Sequence, residues 1–254
     1  MISAERKLIL TGDLMNIIAD LHTHTVASTH AYSTITEMVK AAKEKGLFAL
    51  GVTDHGMTMV GAPDEIYFRN LHVLGEYIDG IRVLKGIEAN IADFNGRLDA
   101  SDKLLKHLEW VVASLHSITI DDGEPNIEKC TAAYLGVCDN PYVNVIGHSG
   151  SDYYAYDYET VVKRCAQTST LIEINSSAMR NGRSNIENCM KIAQLCKKHN
   201  ARVVVDSDAH ILTDVANLPE ALKMLDDIKF PSELVVNSSV ENLKEYFKEK
   251  NITF

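Results

Sequence analysis

The sequence predicts an α/β fold, a single closed barrel of parallel strands each followed by a helix. Three observations predict it. Short β-branched runs alternate with longer amphipathic segments, so each strand-to-strand crossover is a helix and the sheet is parallel. Seven or eight such units fit into 254 residues, with no linker, low-complexity tract or obvious repeat to divide them. No glycine-rich phosphate loop follows the first strand, which argues against the rival open, doubly wound sheet.

The strand runs are 17–20, 48–53, 82–87, 110–115, 143–146, 170–174 and 202–205, with a weaker run at 234–236. Helical patterns occupy 34–45, 64–78, 127–137, 158–167, 185–199, 214–226 and 240–250. The first carries a start signal, Ser33 or Thr34 with Glu37, and Gly46 closes it. Residues 1–14 precede the first strand and read as a short extension, or translation starts at Met15; the barrel then occupies 15–254.

Composition narrows the function. A formal net charge of −10 argues against a broad nucleic-acid-binding surface. It does not exclude phosphorylated substrates, because bound cations reverse the local field. No apolar run approaches the roughly 18 residues of a membrane span, and residues 1–14 contain no signal-peptide core. The five cysteines are odd in number and form no CxxC pair, so a reducing cytoplasm fits better than a secreted disulfide framework.

The informative feature is where the histidines fall. His22, His24, His30, His55, His116, His148 and His210 sit at or just beyond the C-terminal ends of expected strands, and Glu88 and Asp208 fall in the same scheme. A parallel barrel opens all those ends on one face, where catalytic groups gather. In Asp20-Leu21-His22-Thr23-His24 the period of two puts both imidazoles on one side of a strand, with Asp20 beneath. Asp206-Ser207-Asp208-Ala209-His210 repeats the geometry. Imidazole with carboxylate suits Zn²⁺, Mn²⁺ or Fe, and Glu88 has two oxygens to share between two ions. A lone histidine is more often structural, and His72, His107 and His199, within or beside helical patterns, take that reading. Seven histidines and two acids converging on one face have few structural uses.

These segments, with Thr53-Asp54-His55-Gly56, Gly86-Ile87-Glu88-Ala89-Asn90 and Gly147-His148, resemble the PHP (polymerase and histidinol phosphatase) family, and within it the YcdX-type phosphatases. The resemblance runs from about Ile17 to the C-terminal segment. It implies a distorted (β/α)7 TIM-like barrel with a trinuclear metal site, usually zinc, sometimes manganese or iron. It also implies a division of ligands. His22, His24, Glu88 and Asp208 hold one ion, Glu88, His116 and His148 a second, and His30, His55 and His210 a third. Ser149 stands where that pattern often has proline, and Asp206 where it has a small residue; neither change removes a ligand.

The expected activity is hydrolysis of small phosphate monoesters, with hydroxide bridging two metals as nucleophile. Asp206 is a candidate for orienting a metal-bound histidine or protonating the leaving group. Arg180 and Arg183, in the loop after the sixth strand, are candidates for forking a phosphate. The alternatives are a phosphodiesterase or nuclease, a histidinol-phosphate phosphatase, and a non-catalytic metal-binding module. Nine ligand residues for three ions leave open positions, which favours catalysis. No membrane partner is expected, and the Tyr153–Tyr158 stretch leaves room for a homo-oligomer.

Overall fold

The computed structural model describes residues 15–120 and 122–254; the expected extension, 1–14, lies outside them. Seven parallel strands form one sheet in the order β1 (Ala19–Thr23), β2 (Ala49–Val52), β4 (Ile81–Asn90), β5 (Trp110–Ser114), β6 (Val145–Ile146), β7 (Leu171–Asn175) and β8 (Val203–Asp206). The two-residue β3 (Tyr77–Ile78) pairs antiparallel with β4. Each parallel strand is buried on both faces, as its run of valine, isoleucine and leucine requires. The barrel is nearly closed, the distorted (β/α)7 form expected from the motifs.

Its seam lies between β8 and β1. Among the described residues a single bridge spans it, Thr23 with Ala209 just beyond β8, and the His24 N–H donates to the Ala209 carbonyl at 2.8 Å. Side chains complete the closure. Asn237 Oδ1 accepts the Val205 N–H at 3.0 Å, while its Nδ2 donates to the carbonyls of Ala19 (2.8 Å) and Val205 (2.7 Å). Asp20 accepts from the Ser207 N–H, the Ser207 hydroxyl and the Ala216 N–H.

The helices are α1 (Ile35–Glu44), α2 (Glu65–Asn70), α3 (Asp102–Leu105), α4 (Ile127–Asp139), α5 (Tyr158–Thr168), α6 (Ser176–Arg180), α7 (Ile186–His199), α8 (Pro219–Asp227) and α9 (Val240–Glu249). Thr34 and Glu37 form the capping box of α1. Helix α9 closes the lower end: Leu243, Tyr246 and Phe247 pack with Ala19, Leu84, Trp110, Val145 and Leu171 from the early part of the strands.

Four expectations are corrected. The helix expected over 64–78 ends at Asn70, and one tight turn leads into β3. The weak strand at 234–236 shrinks to a single parallel bridge of Val235 with Val203, set between two 3₁₀ turns that deliver Asn237 to the seam. The helix expected from 214 starts at Pro219, because proline lacks an N–H and suits the first helical turn, where none is needed. The expected loop after β7 contains α6, capped by Asn175, whose Oδ1 accepts the Ala178 N–H at 2.7 Å.

Candidate metal centre

Residues from six strands and their following loops meet at the C-terminal mouth. Glu88 lies near the end of the ten-residue β4, so it reaches inward from the barrel wall. Its carboxylate stands within 3.5 Å of five imidazoles: His55 Nδ1 at 2.6 Å, His148 Nε2 at 2.9 Å, and His22, His24 and His116 Nε2 at 3.5 Å each. Asp208 Oδ1 is 3.2 Å from His24 Nε2, 3.5 Å from His210 Nδ1 and 3.8 Å from His22 Nε2. His30 Nε2 is 3.1 Å from His55 Nε2, and its ring centroid is 4.8 Å from that of His210. All nine residues are thus brought together.

The rings are oriented from behind. His116 Nδ1 meets Asn90 Oδ1 at 2.7 Å, and Asn90 Nδ2 donates to Asp99 at 2.7 Å and to the Gly56 carbonyl at 3.1 Å. With its amide donors so used, Asn90 presents an acceptor, which puts the His116 proton on Nδ1 and leaves the Nε2 lone pair facing Glu88. Glycine at position 56 leaves room for this carboxylate, since a Cβ there would lie 2.5 Å from Asp99 Oδ1. His22 Nδ1 meets Glu173 at 2.6 Å, and His210 Nδ1 meets the Asp208 carbonyl at 3.0 Å. The Ser28 hydroxyl donates to Asp54 at 2.7 Å and accepts the His55 N–H at 3.1 Å, tying the β1 and β2 loops together.

Electrostatics favour the forms that bind cations. Burial opposes ionisation of Glu88, but His55, His116 and His22 outweigh it and hold its carboxyl well below the usual range. Asp208 is likewise held low against its burial, by Arg183, His22 and His24. Burial lowers the imidazoles of His24 and His116, favouring neutral rings. His22 differs: burial would lower it, yet Glu173, Glu88 and Asp208 together raise it well above its ordinary value.

The residues fit a metal centre on a direct observation. Buried polar atoms are normally paired, yet His55 Nδ1, His116 Nε2 and Glu88 Oε2 have no hydrogen-bond partner. His55 Nδ1 and Glu88 Oε2 face each other at 2.6 Å without hydrogen-bond geometry, so potential ligand atoms crowd one space. Three overlapping sets, His22–His24–Asp208, His55–Glu88–His116 and His24–His55–His210, each bring their donor atoms within 4.8 Å of one another. His24 and His55 each belong to two sets, so the grouping is less partitioned than the motif pattern implied.

A PHP domain model matches residues 20–252. The chain belongs to the PHP domain family. Among curated PHP relatives it is 44% identical over 237 residues to a probable phosphatase of Caldanaerobacter subterraneus subsp. tengcongensis, covering 93% of each chain. It is 42% identical over 236 residues to a probable phosphatase of Acetivibrio thermocellus, covering 93% of this chain and 97% of that one. A Lactococcus lactis histidinol phosphate phosphatase, solved with zinc, L-histidinol and phosphate, shares the fold at a TM-score of 0.56 and 16% identity, over 84% of this chain and 94% of that one.

Three further candidates of the PHP domain separate. Arg183 reaches the mouth, with Nη2 2.5 Å from Asp208 Oδ2. Arg180 turns away and pairs with Glu220 (3.4 Å) and Asp214 (3.7 Å) on the far side of α6. Asp206 lies buried below the mouth, where Oδ1 accepts the Leu21 N–H at 2.7 Å across the seam and contacts no histidine within hydrogen-bond distance. Burial, with Glu173 and Asp20 nearby, holds its carboxyl well above the usual range, favouring the neutral form. The place beside His22 expected for an orienting acid belongs to Glu173. Its signal was an acid inside the otherwise apolar run 171–174, where a charge is rarely tolerated without a partner. His72, His107 and His199 stand apart: the first two bond to the carbonyls of Arg69 and Lys103, and His199 to Glu159. Among the described residues no helix is long and apolar enough to cross a membrane.

Proposed function

We propose that this PHP domain is a phosphatase hydrolysing phosphate monoesters at three divalent ions. Zinc suits the imidazole–carboxylate donor set best, and manganese and iron are compatible with it. One observation carries the reading: a single buried carboxylate, Glu88, with five imidazoles within 3.5 Å and an oxygen left unpartnered. His22, His24, Glu88 and Asp208 would hold one ion, Glu88, His116 and His148 a second, and His30, His55 and His210 a third. Ions so bound supply Lewis acidity, stabilise developing negative charge and bring the pKa of water toward neutrality.

The chain's own side chains do the rest. Asn90 and Glu173 hold imidazole rings with lone pairs facing inward, so little reorganisation accompanies the reaction. Arg183, half-exposed at the mouth, offers a planar fork to the oxygens of an entering phosphate. The thiols are poor nucleophile candidates: burial pushes Cys189 up to about 11 and Cys196 up to about 12. The relatives named as probable phosphatases support the same reading.

A substrate panel tests it. Chelator-stripped protein is reloaded with zinc or manganese and assayed on p-nitrophenyl phosphate, L-histidinol phosphate, bis(p-nitrophenyl) phosphate and a short oligonucleotide. Metal-dependent turnover of monoesters well above diesters is expected. Faster cleavage of the diester or oligonucleotide makes the chain a phosphodiesterase, and turnover of nothing on the panel leaves a metal-binding module.

A further inference from the structure

We infer that Glu173 is the positioning residue of the metal centre: from β7, which carries no candidate ligand, it fixes His22, His148 and Asp208 in place. The inference rests on the phosphatase reading above. Glu173 and Asn175 are two residues apart on the strand, so both face the mouth side. Three donors converge on the Glu173 carboxylate. Oε1 takes the His22 Nδ1 proton at 2.6 Å, and Oε2 accepts the His148 main-chain N–H at 2.6 Å and Asn175 Nδ2 at 3.1 Å.

Each contact constrains a different candidate ligand. A carboxylate accepts, so His22 directs an Nδ1 proton at Glu173, and Nε2 is the atom left facing Glu88, His24 and Asp208. His148 has φ +25°, a backbone conformation that L residues rarely adopt. The bond from its N–H to Glu173 holds it there, and its Nε2 reaches Glu88 at 2.9 Å. Asn175 passes the constraint onward, its Nδ2 also lying 3.3 Å from Asp208 Oδ2, and Asp208 too has a positive φ, +53°. One side chain thus ties ligands from β1, from the loop after β6 and from the loop after β8.

A merely structural glutamate would cost stability when altered, without choosing among ions. A positioning glutamate selects the two sites that contain its partners. Glu173→Gln keeps the shape but turns one acceptor into a donor facing other donors. Its zinc affinity is measured by competition with a chromogenic chelator, with circular dichroism to check the fold. Two of the three ions are expected to bind roughly 10- to 100-fold more weakly, the range for losing the partner of a ligand histidine. The ion at His30, His55 and His210 should keep wild-type affinity. Unchanged affinity at all sites, or equal weakening at all three, overturns the inference.

Should the variant not fold, a long-range ¹H–¹⁵N spectrum of zinc-loaded wild type decides. The His22 proton is expected on Nδ1, and a proton on Nε2 overturns the assignment. Wild type that takes up no zinc refutes the phosphatase reading and this inference together. Three bound ions beside an unaltered variant refute this inference alone.

Discussion

The seam between β8 and β1 and the mouth above it are both built from buried polar side chains, with different hydrogen-bond balances. At the seam most buried polar atoms find partners: Asn237 uses both ends of its amide and Asp20 receives three donors, while Asp206 Oδ2 has none. At the mouth, His55 Nδ1, His116 Nε2 and Glu88 Oε2 crowd together at close range without forming hydrogen bonds. Buried polar groups in balance hold strands together. Buried lone pairs left over call for cations. Asp206 and Asp208 show the contrast within three residues: the first takes a main-chain N–H across the seam, while the second stands among His22, His24, His210 and Arg183.

Substitutions on the two sides should separate cleanly. Asp208→Asn is expected to have the largest effect, lowering kcat/KM on p-nitrophenyl phosphate on the order of 10³-fold. Elemental analysis should show lost metal, while the melting temperature of the stripped protein changes little. Asn237→Ala should do the reverse. It strands the Val205 N–H and the carbonyls of Ala19 and Val205, costing roughly 3 kcal/mol. For a chain of this size that is a fall in Tm of about 6–12 °C, with metal content unchanged. A melting curve overlaying wild type would remove Asn237 from the closure.

Smaller effects sharpen the line. Arg183→Ala should raise KM roughly 10- to 100-fold, the worth of a hydrogen-bonded charge against phosphate, with kcat little changed. Arg180→Ala, whose partners Glu220 and Asp214 lie outside the mouth, should leave KM where it is. Asp206→Asn should change least. An amide oxygen can still accept from Leu21, and the neutral carboxyl that burial favours is nearly isosteric with it, so the cost is under about 1 kcal/mol. Loss of metal in Asp206→Asn would place Asp206 with the mouth instead of the seam.

Much of this was legible in the chain. The seven β-branched runs became the seven parallel strands, because a strand buried on both faces must be apolar throughout. Histidines at strand ends met at one face because the barrel topology forces those ends together. What escaped was whatever depends on distant partners. Asn237 directly follows a segment that reads as a weak strand, and its part is visible only when Ala19 and Val205 flank it. Asp206 and Asp208 share a strand phase, and the positive φ of Asp208 separates their surroundings. Glu173 was a single acid in an apolar run, with His22 lying 151 residues away.

Glu88 remains the most direct point of test. Wild type and Glu88→Gln are reconstituted with excess zinc, freed of unbound metal, and analysed for ions per chain and for p-nitrophenyl phosphate hydrolysis on the same samples. On the proposed sharing of one carboxylate between two ions, the expected result is three ions in wild type and one in the variant, with activity abolished. A variant that loses one ion or none, or that keeps wild-type turnover, contradicts a bridging Glu88 and the metal cluster built around it.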